Sequence, residues 1–104
     1  MKRDILKEIE GDFKSSGILD RTKPWHKPGM LLMNTILSSK DGRIESHELW
    51  NLIPSQEIRD KLLQAQVFSF HLSSRTITFQ SRAAENYAKF LIAEEKAKKR
   101  FWFF

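Results

Sequence analysis

The spacing of apolar residues changes once between residues 29 and 79, and this change limits the possible folds more than any other feature. Up to residue 66, apolar side chains recur every three or four positions, as in amphipathic helices. From Phe68 to Phe79 they alternate with polar side chains, as in β-strands, on both sides of the segment 73–75. The pattern predicts a helix, a short strand, two helices and a β-hairpin, in that order.

Turn residues divide the first part of this stretch. Residues 29–38 are so rich in apolar side chains that we expect the first helix to be largely buried. Asp41 and Gly42 then predict a turn. Arg43 and Ile44, which follow directly, are predicted to form the short strand.

Two further helices are predicted before the hairpin. The second helix begins at Glu45 or Ser46, and Pro54 ends it. Ser55 is expected to cap the third helix, with Glu57 favourably placed at its positive end. Side chains expected to face the core are Leu49, Trp50, Leu52 and Ile53 in the second helix and Phe68, Phe70, Leu72, Ile77 and Phe79 in the hairpin.

Flanking segments complete the chain. Residues 3–14 have the spacing of an amphipathic helix, and residues 81–100 return to helical spacing. Residues 18–28 contain two prolines and are predicted to be irregular, with Trp25 packed as a lid on the core. We therefore divide the chain into an N-terminal amphipathic helix and linker (1–27), a core (28–80), and a C-terminal helix with a basic and aromatic tail (81–104).

The composition excludes several classes of protein. The chain has no cysteine, which rules out disulfides, zinc–thiolate sites and thiol catalysis. Its apolar runs are far shorter than the roughly 20 residues that span a bilayer. The N-terminal residues lead into a charged helical pattern and not into a signal peptide. We expect an intracellular protein, cytoplasmic or nuclear.

Positive charge is concentrated outside the core. The chain carries 18 Lys and Arg against 13 Asp and Glu, a formal net charge of +5. Residues 29–79 hold five basic and five acidic residues, so the surplus lies in the flanking segments. Such a surplus favours a polyanionic partner, either nucleic acid or an anionic membrane surface. The densest basic cluster consists of Lys96, Lys98, Lys99 and Arg100.

One segment resembles a known family. The run Leu-Ser-Ser-Lys-Asp-Gly-Arg-Ile-Glu-Ser-His-Glu-Leu-Trp, residues 37–50, is similar to the junction between the first helix, first strand and second helix of winged-helix domains. In that superfamily a Gly-Arg-apolar step forms the strand and a polar residue opens the next helix. Here these roles would fall to Gly42, Arg43, Ile44 and Ser46. The resemblance implies an α+β fold, a small winged-helix domain of three helices and a hairpin wing.

A winged-helix domain implies a way of binding duplex DNA. The third helix would enter the major groove and the hairpin would touch the backbone or minor groove. Residue types that can contact base edges or phosphates are present in both elements. The tail would add affinity that does not depend on sequence. The residues expected to bind nucleic acid are Gln56, Arg59, Lys61, Gln64, Arg75, Lys98, Lys99 and Arg100.

Other partners remain as alternatives. A nearly neutral core and the acidic Glu57 and Asp60 on the third helix favour a protein-interaction module in a larger assembly. The basic cluster followed by the aromatic residues 101–104 would suit an anionic membrane surface. The amphipathic terminal helices could also form a homodimer.

No pattern for catalysis or for a cofactor is present. The three histidines, His26, His47 and His71, lie in different segments, and no glycine-rich phosphate loop occurs. Residues 37–48 also look like part of an EF-hand loop, but Leu37 at its first position has no oxygen to offer calcium. We expect a non-catalytic protein without metal or cofactor.

Overall fold

Five helices and three strands make up the described part of the computed structural model, which covers residues 5–98 and the side chains of residues 6–97. Their order confirms the predicted succession of helix, strand, helix, helix and hairpin, with one helix before it and one after. The fold is therefore α+β. The elements are α1 (Ile5–Ser16), α2 (His26–Ser38), β1 (Arg43–Glu45), α3 (Ser46–Leu52), α4 (Gln56–Gln64), β2 (Phe68–His71), β3 (Thr76–Phe79) and α5 (Arg82–Lys98).

The three strands form one antiparallel sheet in which β3 is central, in the order β1-β3-β2. Ile77 of β3 is paired with Ile44 on one side and with Phe70 on the other. The backbone N–H of Ser46 donates to the carbonyl of Arg75, 2.9 Å away, so the start of α3 is bonded to the turn of the hairpin.

Local capping accounts for several element boundaries. Ser55 accepts a hydrogen bond from the backbone N–H of Ile58 at 3.3 Å, which confirms it as the cap of α4. Glu45 and Glu48 form a reciprocal capping box at the start of α3. The hairpin turn has neither glycine nor asparagine, and Arg75 adopts the left-handed conformation there, with φ of 54°.

The prediction that residues 18–28 are irregular is wrong for residues 26–28, because α2 begins at His26. Pro28 therefore lies in the first turn of that helix. A proline is tolerated there because the first backbone N–H groups of a helix have no intrahelical acceptor.

The core lies between the sheet and the helices α1, α2, α4 and α5. The C-terminal helix buries Ala84, Ala88 and Ile92 in it, and the ring of Phe13 from α1 meets Tyr87 of α5 edge-on at 5.0 Å. The largest side chains that are fully buried are Phe13, Ile18, Leu32, Met33, Ile36, Leu62, Val67 and Ile77.

Three side chains expected in the core lie at the surface. Trp50 is 54% exposed, Phe70 42% and Leu72 79%. Trp50 follows the buried Leu49 by about 100° around α3, which turns it away from the core. Phe70 and Leu72 belong to the edge strand β2 and its turn, where burial decreases from Phe68 onward.

Candidate interaction surface

Exposed aromatic rings meet at a cleft among α3, α4 and β2. Trp50 of α3, Phe70 of β2 and Leu63 of α4 all line it. The cleft has a volume of about 290 Å³. We call it the Trp50 cleft, and its lining consists of Ser46, Leu49, Trp50, Gln56, Arg59, Asp60, Leu63 and Phe70.

Arg59 forms one wall of the Trp50 cleft through internal contacts. Its Nη1 donates to the carbonyl oxygens of Ile53 and Pro54, each at 2.8 Å. Its guanidinium carbon lies 5.4 Å from the centroid of the Trp50 ring, a cation–π distance. The side chain therefore joins α4 to the end of α3 and places its positive charge beside an exposed aromatic ring.

The structure distributes the predicted nucleic-acid-binding residues over separate surfaces. Gln56 and Arg59 line the Trp50 cleft. Lys61 lies on another side of α4, with Nζ 5.7 Å from the Trp25 ring, and Gln64 lines a depression shared with Asp12 of α1. The helix therefore presents no single basic face.

The remaining predicted nucleic-acid-binding residues follow α4 in the chain. Arg75 is exposed in the hairpin turn. Lys98 ends α5, but its side chain is outside the described residues, as are Lys99 and Arg100. The predicted membrane-binding residues 101–104 also lie outside them.

Acidic groups dominate the exposed surface of α3 and α4. Lys61 is the exposed lysine on these two helices, both of which the structure describes throughout. The exposed carboxylates on the helices and at the α3 cap are those of Glu45, Glu48, Glu57 and Asp60. This surface therefore repels phosphate more than it attracts it.

Trp25 packs as the sequence predicts. It is half-buried against the core, and its Nε1 donates to the carbonyl of Ser16 at 2.9 Å. Lys23 and Lys61 each place Nζ 5.7 Å from the ring centroid. The ring thus closes the corner between α1 and α4, which agrees with the predicted lid.

The three histidines lie at three different places. His26 is buried, and its Nδ1 is bonded to the carbonyl of Ile18. His71 is exposed with Nε2 2.9 Å from Oγ1 of Thr78. Among the described residues they form no catalytic pair with one another.

One group of side chains has the composition of a metal site. Glu45, His47 and Glu48 have potential ligand atoms within 4.8 Å of one another, and all three are exposed. Their contacts have another explanation, because Glu45 and Glu48 cap α3 and Nδ1 of His47 lies 3.1 Å from Glu45. We assign no ion to them.

A second groove is formed by α1 and α5 together. It lies between the start of α1 and the outer side of α5 and has a volume of about 480 Å³. Burial, and after it the charges of Glu10 and Glu94, raises the pKa of the Tyr87 hydroxyl above its usual value. We call it the terminal groove, and it is lined by Leu6, Ile9, Glu10, Ala83, Asn86, Tyr87 and Phe90.

Sequence reasoning missed both the Trp50 cleft and the terminal groove. The apolar spacing that predicts Trp50 and Phe70 in the core is the only sequence signal for the cleft.

Within residues 5–98, no helix is both long and apolar enough to cross a membrane. Comparison with family models, with curated proteins and with solved structures gives no match.

Proposed function

We propose that residues 28–80 form a winged-helix domain and that the chain is a non-catalytic module that binds another protein through the Trp50 cleft. The winged-helix assignment is supported by the order α2, β1, α3, α4, β2, β3 and by the sheet order β1-β3-β2. In this assignment α4 is the third helix and the β2–β3 hairpin is the wing.

The observation that carries the proposal is the pair of exposed rings, Trp50 of α3 and Phe70 of β2, that line one cleft. Large apolar side chains that frame a cleft with a polar rim are typical of protein-binding sites. Arg59 contributes a guanidinium beside the Trp50 ring, a group that is enriched with tryptophan at the energetic centres of interfaces.

The charges around the cleft define the chemistry of the partner. Glu48, Glu57 and Asp60 are exposed on the helices that form it. A complementary segment would place one or two apolar side chains between Trp50 and Phe70 and a lysine or arginine near Asp60. The proposed ligand is therefore a short amphipathic segment with basic residues beside its apolar ones.

Duplex DNA is the second candidate, favoured by the exposure of Lys61 and Arg75 and by the net charge of +5. The contacts of Arg59 weaken this candidate, because its guanidinium is already held by two carbonyl groups. In this alternative, binding would rest on Lys61, Arg75 and the basic tail and would be steeply salt-dependent.

A selection from random displayed peptides, with the full chain as bait, tests the proposal. Peptides that bind are expected to carry apolar anchors beside lysine or arginine and to move the NMR signals of Trp50 and Phe70. Their affinity should fall at least tenfold for Trp50→Ser. The matched control is Leu31→Ser, which changes an exposed leucine on α2.

The natural chain and its variants also distinguish a peptide ligand from duplex DNA. Peptides that bind Trp50→Ser as well as they bind the natural chain would refute the proposed cleft. Fluorescence anisotropy with a labelled duplex then tests DNA at moderate salt. Binding that is lost in the double variant Lys61→Glu, Arg75→Glu but kept in Trp50→Ser would establish DNA as the ligand instead.

A further inference from the structure

The terminal groove leaves large apolar side chains in contact with water. Phe90 of α5 is 58% exposed and Leu6 of α1 is 59% exposed. The Phe90 ring stacks on Tyr87 with centroids 6.2 Å apart, so it is held in place over the groove. Helix α5 buries its opposite side in the core through Ala84, Ala88 and Ile92. The exposed side is thus a second apolar surface on a helix that is already docked.

The exposed residues of α5 that extend this surface follow a seven-residue repeat. Asn86, Phe90, Ala93 and Ala97 are exposed, and their separations are four, three and four residues. This is the spacing of the a and d positions at which two helices meet in a coiled coil. With Phe90 at an a position, Lys89 occupies a g position and Glu94 an e position.

We propose that α5 packs in parallel against α5 of a second copy of this chain, with Phe90 and the terminal groove at the centre of the interface. A two-fold axis parallel to α5 would bring each Phe90 ring against its counterpart and against the partner copy's groove. Such an interface is self-complementary, because the same surface supplies the protruding ring and the groove.

The charges that flank Phe90 fit the parallel arrangement. In a parallel pair, a g residue faces the e residue that follows it by five positions in the other chain. Lys89 of one copy would then face Glu94 of the other, and the two-fold axis creates this contact twice. Within one copy, Nζ of Lys89 lies 3.8 Å from Oε1 of Glu85, so the proposed dimer requires the lysine to turn from Glu85 toward Glu94 of the other copy.

An antiparallel pair would place like charges together. The g residues then face one another, and in α5 they are Arg82, Lys89 and Lys96. The charge pattern therefore favours the parallel pair over the antiparallel one. This inference does not depend on the Trp50 cleft, which lies among α3, α4 and β2.

The area available predicts a weak dimer. The seam, where the two α5 helices would meet, consists of Asn86, Phe90, Ala93 and Ala97. Apart from Phe90 these residues are small or polar, and each copy would contribute only α5 and the start of α1. An interface near the lower size limit, about 1,200 Å² in total, is typical of transient association. We expect a dissociation constant on the order of micromolar to tens of micromolar.

Sedimentation equilibrium of the full chain tests the association. The natural chain should pass from monomer to dimer as its concentration rises through the micromolar range. Phe90→Glu should weaken the dimer at least tenfold, because it would bring two carboxylates together at the seam. Leu31→Glu, at an exposed position of α2, is the matched control and should leave the dimer unchanged. A natural chain that stays monomeric, or a dimer that Phe90→Glu leaves intact, would overturn the proposal.

Cysteine cross-linking tests the parallel direction. The chain contains no cysteine, so Ala93→Cys and Ala97→Cys each introduce one thiol per copy. In a parallel pair, equivalent seam positions lie close enough for a disulfide, which needs Cα atoms about 4.4–6.8 Å apart. Oxidation should therefore give covalent dimers for both variants, with Ser38→Cys on α2 as the exposed control. Cross-linking of Ala93→Cys and Ala97→Cys no better than that of Ser38→Cys would rule out the parallel arrangement.

Exchanging the charges at positions 89 and 94 tests the relative direction of the two helices independently. Lys89→Glu should weaken the dimer several-fold, because the introduced carboxylate would face Glu94 of the other copy. Adding Glu94→Lys should restore it. If Lys89→Glu instead strengthens the dimer, the lysines of the natural chain face each other and the helices are antiparallel.

Discussion

The guanidinium carbon of Arg59 lies 5.4 Å from the centroid of the Trp50 ring, while Nη1 of the same side chain donates to the carbonyls of Ile53 and Pro54. These carbonyls belong to the two residues that directly follow α3. Arginine is a residue type that can contact bases, but the guanidinium of Arg59 instead holds α4 against the end of α3. Its remaining exposed surface belongs to the Trp50 cleft.

Replacing Arg59 should therefore reduce stability. Arg59→Ala removes two hydrogen bonds from a charged donor, and we expect the free energy of unfolding to fall by about 1–2 kcal/mol. Lys61→Ala, on the exposed side of α4, should change it by less than about 0.5 kcal/mol. Urea unfolding followed by tryptophan fluorescence measures both. Equal effects from the two substitutions would show that the carbonyl contacts of Arg59 contribute little.

Gly17 and Gly11 should respond to alanine in opposite directions. Gly17 has φ of +78°, and a Cβ there would lie 2.9 Å from Nε1 of Trp25. Gly17→Ala should lower the free energy of unfolding by about 1–2 kcal/mol, because the backbone would be strained and the ring displaced. Gly11 lies inside α1 with nothing within 4 Å of the added atom, so Gly11→Ala should raise stability by about 0.5–1 kcal/mol. Thermal unfolding of the two variants decides this.

The hydroxyl of Tyr87 should titrate above the ordinary tyrosine pKa. Burial is the main cause, and the carboxylates of Glu10 and then Glu94 add to it. The chain has one tyrosine, so absorbance of the tyrosinate at alkaline pH reports this group alone. The unfolded chain should lose this proton first, so stability should decrease as pH rises past the unfolded pKa of about 10.

Carboxylate substitutions provide the control for this titration. Glu10→Gln should move the pKa of Tyr87 down toward the ordinary value, because it removes one nearby negative charge. Glu57→Gln, on the exposed face of α4, should leave it in place. If the pKa of the native chain coincides with that of the chain in urea, burial in the terminal groove is weaker than the structure indicates.

Leu62 attaches α4 to the core. It is the buried residue of this helix, with 1% of its surface exposed. Leu62→Ala should lower the free energy of unfolding by about 2–5 kcal/mol, because it leaves a cavity against α2. Leu63→Ala removes the same atoms from a half-buried position and should cost clearly less. Comparable losses in chemical denaturation would mean that α4 is held mainly from its cleft side.

Elements that depend on neighbouring residues can be predicted well from the sequence. The β1 strand, the hairpin and the Ser55 cap follow from alternation, turn residues and a side-chain acceptor that act within a few positions. The start of α2 cannot be predicted in this way, because proline is common both in irregular chain and in the first turn of a helix.

The candidate site is much less predictable. The spacing of apolar residues predicts which side of a helix or strand is apolar, but the burial of that side depends on what packs against it. Nothing in the local pattern indicates that Trp50 and Phe70 meet at an uncovered cleft. The carbonyl partners of Arg59 likewise arise from the angle between α3 and α4, which involves residues five and six positions away. The outer side of α5 is visible as helical spacing, but only the docking of Ala84 and Ala88 shows which residues remain outside.

The central position of β3 has a consequence for how the chain folds during synthesis. β1 and β2 each pair with β3 and not with each other, although both precede it in the chain. Neither strand can acquire its partner until residues 76–79 have left the ribosome. The helices α2, α3 and α4 therefore emerge before the sheet has formed, and the pairing of β1 with β3, such as Glu45 with Thr76, joins distant parts of the chain, which slows folding. A ribosome stalled shortly before Thr76 emerges should hold a nascent chain that is open to proteases and chaperones.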